Sequence, residues 1–419
     1  MKRYGFCLLL FGCQKTTPLC QEWTKKPANT PLIIEIKRPG HPHVVLQAVF
    51  PASPRTLLGA PTAIFIHGGW NPTQAPLAED AIRLRGDLGF TTLYPNLAAT
   101  DARGPESRAI LAKVLQYANG EIQDEENCYL DDRLPNGRAP EIALAGFSNG
   151  GNLAWATASD PDLNIQRLDG IATFETPSAH QMVVGETGTQ RQLNPRFDVD
   201  SCAVETSGDF TCEIDYTPLG VGATINCVST DDCLFIDLDG SNDWSAEDFP
   251  LGHVLDPQGD AIAYSIPVTK AAEEAGILPD DAYGVNDAMD FWRWREATAS
   301  VPDAAKQFPM LAGIATGTEI DHVLDDLPRP IHVLGLIQVM VENGIHWSRL
   351  HADSKYLDET SGFSGDWRDY PANSSISIDD NEWTMEPEDG VHIRGTDYLS
   401  AAVAEIIDRS RTGDWSPNL

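Results

Sequence analysis

The sharpest chemistry in this sequence sits in Gly146-Phe147-Ser148-Asn149-Gly150-Gly151, which sets one serine hydroxyl among glycines. A serine becomes a nucleophile when a base takes its proton and fixed donors receive the oxyanion that forms. Ile142–Ala145 before it reads as an apolar strand, and Asn152–Ala158 after it as a helix. The serine is therefore expected on a sharp strand-to-helix turn, with the helix N-terminus aimed at its hydroxyl. Side chains at the flanking glycine positions would strike the strand and the helix. About 80 residues earlier, His67-Gly68-Gly69-Trp70 follows a second apolar run, Thr62–Ile66. Its two glycines allow backbone N–H groups to turn toward an oxyanion, so the expected donors are the N–H of Asn149 and those of Gly69 or Trp70.

Taken together, the two motifs resemble the nucleophile elbow and the His-Gly-Gly oxyanion loop of esterases and lipases of the α/β-hydrolase fold. The resemblance implies an eight-stranded, mainly parallel sheet with helices on both faces, and ester hydrolysis through an acyl-enzyme. It also implies the chain order serine, acid, histidine. The acid then falls after the strand expected at Pro309–Ala315, where Asp321 is the candidate and Glu319, Asp325 and Asp326 are rivals. The base falls before the last helix, where His392 stands in Asp389-Gly390-Val391-His392. His346 and His351 lie on or beside a strand and read as structural, while His322 adjoins the acid. In this scheme Asp321 orients His392 and stabilises its imidazolium. Two features depart from the pattern. Trp70 replaces a third glycine, and roughly 110 residues are inserted before the acid strand, at a place where such insertions commonly cap the active site.

These residues need a scaffold, and the apolar pattern supplies one. Leu32–Ile36, Val44–Phe50, Thr62–Ile66, Thr91–Tyr94, Ile142–Ala145 and Gly170–Phe174 read as strands. They alternate with helical stretches at Leu77–Leu88 and Ser107–Ala118. Such alternation predicts a parallel α/β sheet. It breaks near residue 187 and resumes near 300, with a helix at Pro330–Asn343, a strand at His346–Leu350 and a last helix at Tyr398–Arg409. The expected organisation is a signal at 1–12, a tether at 13–30, core at 31–186, an acidic insertion or cap at 187–299, and core again at 300–419.

Four of the eight cysteines, Cys202, Cys212, Cys227 and Cys233, fall in the insertion. In an exported chain they read as two local disulfides whose pairing spacing does not decide. The insertion also contains Asp237-Leu238-Asp239-Gly240-Ser241-Asn242-Asp243, closing at Glu247-Asp248, which resembles an EF-hand loop. Asp237, Asp239, Ser241, Asp243 and Asp248 are candidate Ca²⁺ ligands, although glycine stands at the fourth place rather than the sixth. A structural Ca²⁺ is the one ion expected; the ester chemistry itself needs no cofactor.

Lys2-Arg3 followed by the apolar run Tyr4–Phe11 reads as an export signal, too short to span a bilayer. Its end, Leu10-Phe11-Gly12-Cys13, resembles the lipobox of bacterial lipoproteins, which implies lipidation of Cys13 and, with Gln14 following, outer-membrane or surface sorting. Plain secretion, to the periplasm or beyond, is the alternative. Acidic side chains outnumber basic ones 62 to 29, a formal charge of −33. That balance argues against nucleic-acid binding and against a polybasic membrane surface, leaving a lipid anchor as the only expected membrane contact. The expected function is an exported serine carboxylesterase acting on small neutral esters. The alternatives are a serine peptidase or amidase, and a non-catalytic calcium-dependent surface-binding protein. Acyl-chain length and oligomeric state are not legible.

Overall fold

The computed structural model describes residues 20, 30–68, 88–97, 104–134, 137–177, 194–204, 210–223, 232–256, 261–317, 331–353, 355–356, 359 and 395–416. β1 (Leu32–Ile36) buries Leu32, Ile34 and Ile36 and exposes Ile33 and Glu35. That period of two suits an edge strand with one face on the core. It pairs antiparallel with β2 (Val44–Val49). β3 (Ala60–Ile66) and β4 (Thr91–Pro95) are buried along their whole length. So is β6 (Gly170–Phe174), the neighbour of β5 (Arg138–Phe147). Continuous burial is what a parallel strand with helices on both faces requires.

After β6 the chain leaves the main sheet. β7 (Phe197–Val204) and β8 (Phe210–Ile214) form a hairpin. β9 (Leu219–Ala223), β10 (Asp232–Ile236) and β11 (Phe249–Pro250) form a small antiparallel sheet, and β12 (Val254–Leu255) pairs with β13 (Ile262–Ala263). These elements carry apolar clusters of their own. One gathers Leu234, Ile236, Phe249 and Tyr264, and another gathers Val254, Phe291 and Trp292. The Trp292 indole N–H donates to Tyr264 O at 2.7 Å and joins the two.

β14 (Ala312–Thr316) and β15 (Trp347–Leu350) then complete an eight-stranded sheet of order β1-β2-β4-β3-β5-β6-β14-β15. Only β2 runs against the rest. This is the α/β-hydrolase fold, with the mainly parallel eight-stranded sheet that the motifs implied.

Helices cover both faces. α1 (Pro105–Ala118) and α2 (Leu130–Arg133) precede α3 (Asn149–Ser159); α4 (Ile266–Ala275) and α5 (Val285–Arg293) lie between β13 and β14, followed by α6 (Ala297–Gln307); α7 (Ile331–Glu342) and α8 (Gly395–Thr412) complete the set. On β14, Ala312 is in register with Gly170, so the next residue, Gly313, points to the opposite face. Ile406 of α8 fills the space over Gly170, whereas Trp155 of α3 and Met340 of α7 fill that over Gly313. α8 therefore lies on one face, and α3 and α7 on the other. Fully buried Glu405 fastens α8 to β15, accepting from Arg349 at 3.0 Å and from Arg409 at 2.8 Å.

Candidate active site

Ser148 joins β5 to α3 with φ 50° and ψ −127°, a conformation that costs a non-glycine residue free energy and persists only where its surroundings enforce it. The enforcement is visible. The Ser148 N–H donates to Phe174 O at 2.8 Å, extending the β5–β6 ladder by one residue. The Ser148 carbonyl accepts from the Gly151 N–H at 2.9 Å and from Thr176 Oγ1 at 3.2 Å. α3 starts at Asn149, so Ser148 is its N-cap and the positive end of the helix dipole falls on the serine.

Two glycines explain how close the neighbouring strand comes. A Cβ on Gly150 would collide with the Ile66 carbonyl oxygen and lie 2.8 Å from that of His67. A Cβ on Gly68 would lie 2.9 Å from the Ser148 Cβ. The turn after β3 thus touches the serine directly. β3 and β5 are adjacent, and the chain winds away from them in opposite directions, to β4 on one side and β6 on the other. A crevice at the carboxyl ends of the strands, where the winding reverses, is the usual ligand site of an open α/β sheet. Buried His67 points back into this turn, its Nδ1 2.8 Å from Gly68 O, with the Tyr94 ring 6.2 Å away.

Among the sequence candidates, Ser148 and Asn149 are adjacent at this turn and Gly68 of the loop motif abuts them. Gly69, Trp70, Asp321 and His392 lie outside the described residues. Their flanks are described. β14 ends at Thr316, in register with Phe174, and its Oγ1 donates to Thr173 O at 2.7 Å. At the start of α8, the Tyr398 ring stacks on Phe174 at 5.8 Å, and Phe174 stacks on Phe147 at 5.4 Å. One row of rings therefore runs from the residue before Ser148, across the end of β6, to the first turn of α8.

Glu175 and Asn152 were not singled out in the sequence, whereas His351 was read as structural. Glu175, directly after β6, is 4% exposed and has φ 44°. Asn152, fully buried on α3, accepts from the Ala297 N–H at 2.9 Å and donates to Pro177 O at 3.2 Å, tying α3 to the start of α6. His351, directly after β15, has φ 64°, and burial pushes its imidazole down to about 3. The signal for Glu175 was its place, first after a readable strand at the serine's edge of the sheet.

In the insertion, carboxylate oxygens of Asp237, Asp239 and Asp248 lie within 4.8 Å of one another. Both oxygens of Asp237 accept amide N–H groups, from Gly240 at 2.6 Å and Asn242 at 3.0 Å. Both oxygens of Asp248 do the same, from Leu238 at 2.9 Å and Ser245 at 2.6 Å. Hydrogen bonds from Ser241 hold the Asp239 carboxyl below the usual range. Asp243 is not one of the three, and its carbonyl accepts from Ser241 Oγ at 2.7 Å. A carboxylate oxygen with one amide donor keeps a lone pair, so this hard-oxygen donor set is chemically suited to Ca²⁺.

Cys20 and Cys128 are joined by a disulfide, a pair the spacing did not reveal. Cys233 is also disulfide-bonded. The side chains of Cys202 and Cys212 and the whole of Cys227 lie outside the described residues, as do residues 1–19 with Cys13.

No family model and no curated protein sequence matches this chain. Solved structures do resemble it. The Pyrobaculum calidifontis esterase aligns at 17% identity and TM-score 0.29, over 41% of this chain and 55% of its own, little more than half its length. A variant of the esterase rPPE aligns at 13% identity and TM-score 0.39, over 78% and 76% of the two chains. Brefeldin A esterase, described as a bacterial homologue of human hormone sensitive lipase, aligns at 13% identity and TM-score 0.39, over 77% and 67%. The fold assignment rests on the strand order itself, not on these overlaps.

Proposed function

We propose that this protein is a serine carboxylesterase. The reading is carried by one observation: Ser148 is held at φ 50° between β5 and α3, with the turn after β3 in contact with it. In the proposed reaction His392 takes the Ser148 proton as the hydroxyl oxygen attacks the ester carbonyl. Backbone N–H groups of Asn149 and of Gly69 or Trp70 receive the oxyanion. Collapse of the tetrahedral intermediate expels the alcohol, protonated by His392. Water, deprotonated by the same histidine, then releases the acid from Ser148. Asp321 holds the histidine tautomer. The acid-rich surface favours neutral over anionic esters.

The finer proposals are that the chain is exported, through a lipid on Cys13 or by secretion, that residues 187–299 cap the site, and that Asp237, Asp239 and Asp248 hold a structural Ca²⁺. The first experiment is p-nitrophenyl butyrate hydrolysis by Ser148→Ala. Turnover should fall to background, with a melting temperature near that of the parent and loss of covalent labelling by a fluorophosphonate. A variant that still turns over the ester refutes the assignment.

A further inference from the structure

A cavity of about 480 Å³ opens along α6, lined among others by Ser159 and Pro161 at the end of α3, Arg293 and Trp294 at the end of α5, and Asp303 and Lys306 of α6. α3 has eleven residues and begins beside Ser148, so Ser159 lies about 16 Å along the helix from the serine. Lys306 Nζ donates to Asp303 at 2.8 Å, which leaves the ammonium two further N–H groups. Arg293 meets no carboxylate among the described residues; its guanidinium lies over the Trp294 ring, 5.0 Å from the centre. In a chain with 62 acidic and 29 basic side chains an arginine ordinarily finds an acid, as Arg38, Arg108 and Arg167 do. Stacking on an indole occupies the flat face of a guanidinium and leaves its N–H groups, which point outward in its plane, for a planar acceptor. The indole is backed in turn. Arg108, 4% exposed and paired with Asp160 at 2.5 Å, packs 3.8 Å from the ring centre. One space thus collects an unpaired guanidinium, an ammonium, and the apolar surface of Trp294 and Pro161. A few fixed polar groups on an otherwise apolar wall are the ordinary make-up of a small-molecule site, and a guanidinium fork matches a carboxylate.

We propose that this cavity binds a small carboxylate with an apolar body, the carboxylate on Arg293 with Lys306 beside it and the body against Trp294 and Pro161. The site is separate from the crevice at Ser148 and stands whether or not Ser148 is the nucleophile. The probe is sodium benzoate, titrated calorimetrically into the full chain, with benzamide as its uncharged match. Benzoate should bind with a millimolar Kd and benzamide about tenfold or more weakly. The benzoate Kd should rise with NaCl, because the charges are open to solvent and are screened. Arg293→Gln should weaken benzoate about tenfold or more at an unchanged melting temperature, since Arg293 is exposed and holds no other element by an ion pair. Benzoate held at Ser148 would not respond to that substitution, so an unchanged Kd in a folded Arg293→Gln overturns the proposal. A parent that binds no benzoate, or binds benzamide equally well, overturns it too. If Arg293→Gln does not fold, Lys306→Gln decides: a severalfold weaker Kd supports the site, and a parental Kd overturns it.

Discussion

A histidine without access to water stays neutral far below its ordinary pKa, and His351 is such a residue. It is 1% exposed, and burial pushes its imidazole down to about 3. A ring so enclosed is poorly placed to pass protons to a substrate, which is why the proposed base is sought elsewhere. In the unfolded chain the same ring protonates near 6.5. Between about 6.5 and 3 the unfolded state therefore binds the extra proton, and stability falls as pH falls through that window while being fully present above it. One group contributes a slope of about 1.4 kcal/mol per pH unit, or about 2 kcal/mol between pH 6.5 and 5. His351→Asn keeps a residue that tolerates the left-handed backbone at φ 64°. Urea denaturation at pH 7 and pH 5 should show a shallower acid loss in that variant than in the parent. Equal losses would remove His351 from the account.

At the scale of elements, one buried amide ties the helix after Ser148 to its neighbours. Asn152 bridges the Ala297 N–H and the Pro177 carbonyl while fully buried, so α3, α6 and the end of β6 are locked together close to Ser148. Asn152→Ala leaves both backbone groups unpaired in the interior. It should cost about 2–4 kcal/mol in chemical denaturation and lower kcat as the serine turn loosens. A loss below about 0.5 kcal/mol would show that the amide is not a tie. These elements differ in how readable they were. Thr62–Ile66, Ile142–Ala145 and Gly170–Phe174 fall within observed strands because a parallel core strand is a continuous apolar run. α3 starts three residues earlier than its apolar pattern suggests, because Asn149, Gly150 and Gly151 are weak helix formers held in place by the end of β3. β9 was not legible. Gly220 and Gly222 dilute its strand character, yet those positions are where the Phe235 ring lies against the strand. Ser148 announced itself through its glycines, whereas Glu175 is an ordinary acid in sequence and is singled out only by its backbone angle and burial.

For the molecule as a whole, a formal charge of −33 means that folding gathers like charges. Salt relieves that repulsion, since the screening length falls to about 10 Å at 0.1 M. Raising NaCl should lift the melting temperature by a few degrees, about 2 °C for each kcal/mol regained in a chain of this size. Calcium at matched ionic strength should lift it further if it binds the cluster of Asp237, Asp239 and Asp248, and Asp239→Ala should remove only that further part. Coincident sodium and calcium curves would reduce the cluster to an amide-capped turn.

The Cys20–Cys128 bond has one more consequence, for distance rather than stability. Wherever the chain is held upstream, its covalent tie to the folded body comes at Cys20. With a lipid on Cys13, seven residues remain, a span of at most about 25 Å when fully extended. Under the proposed lipid anchor and esterase activity, the folded body would sit within a couple of nanometres of the bilayer, where esters at that surface are nearest.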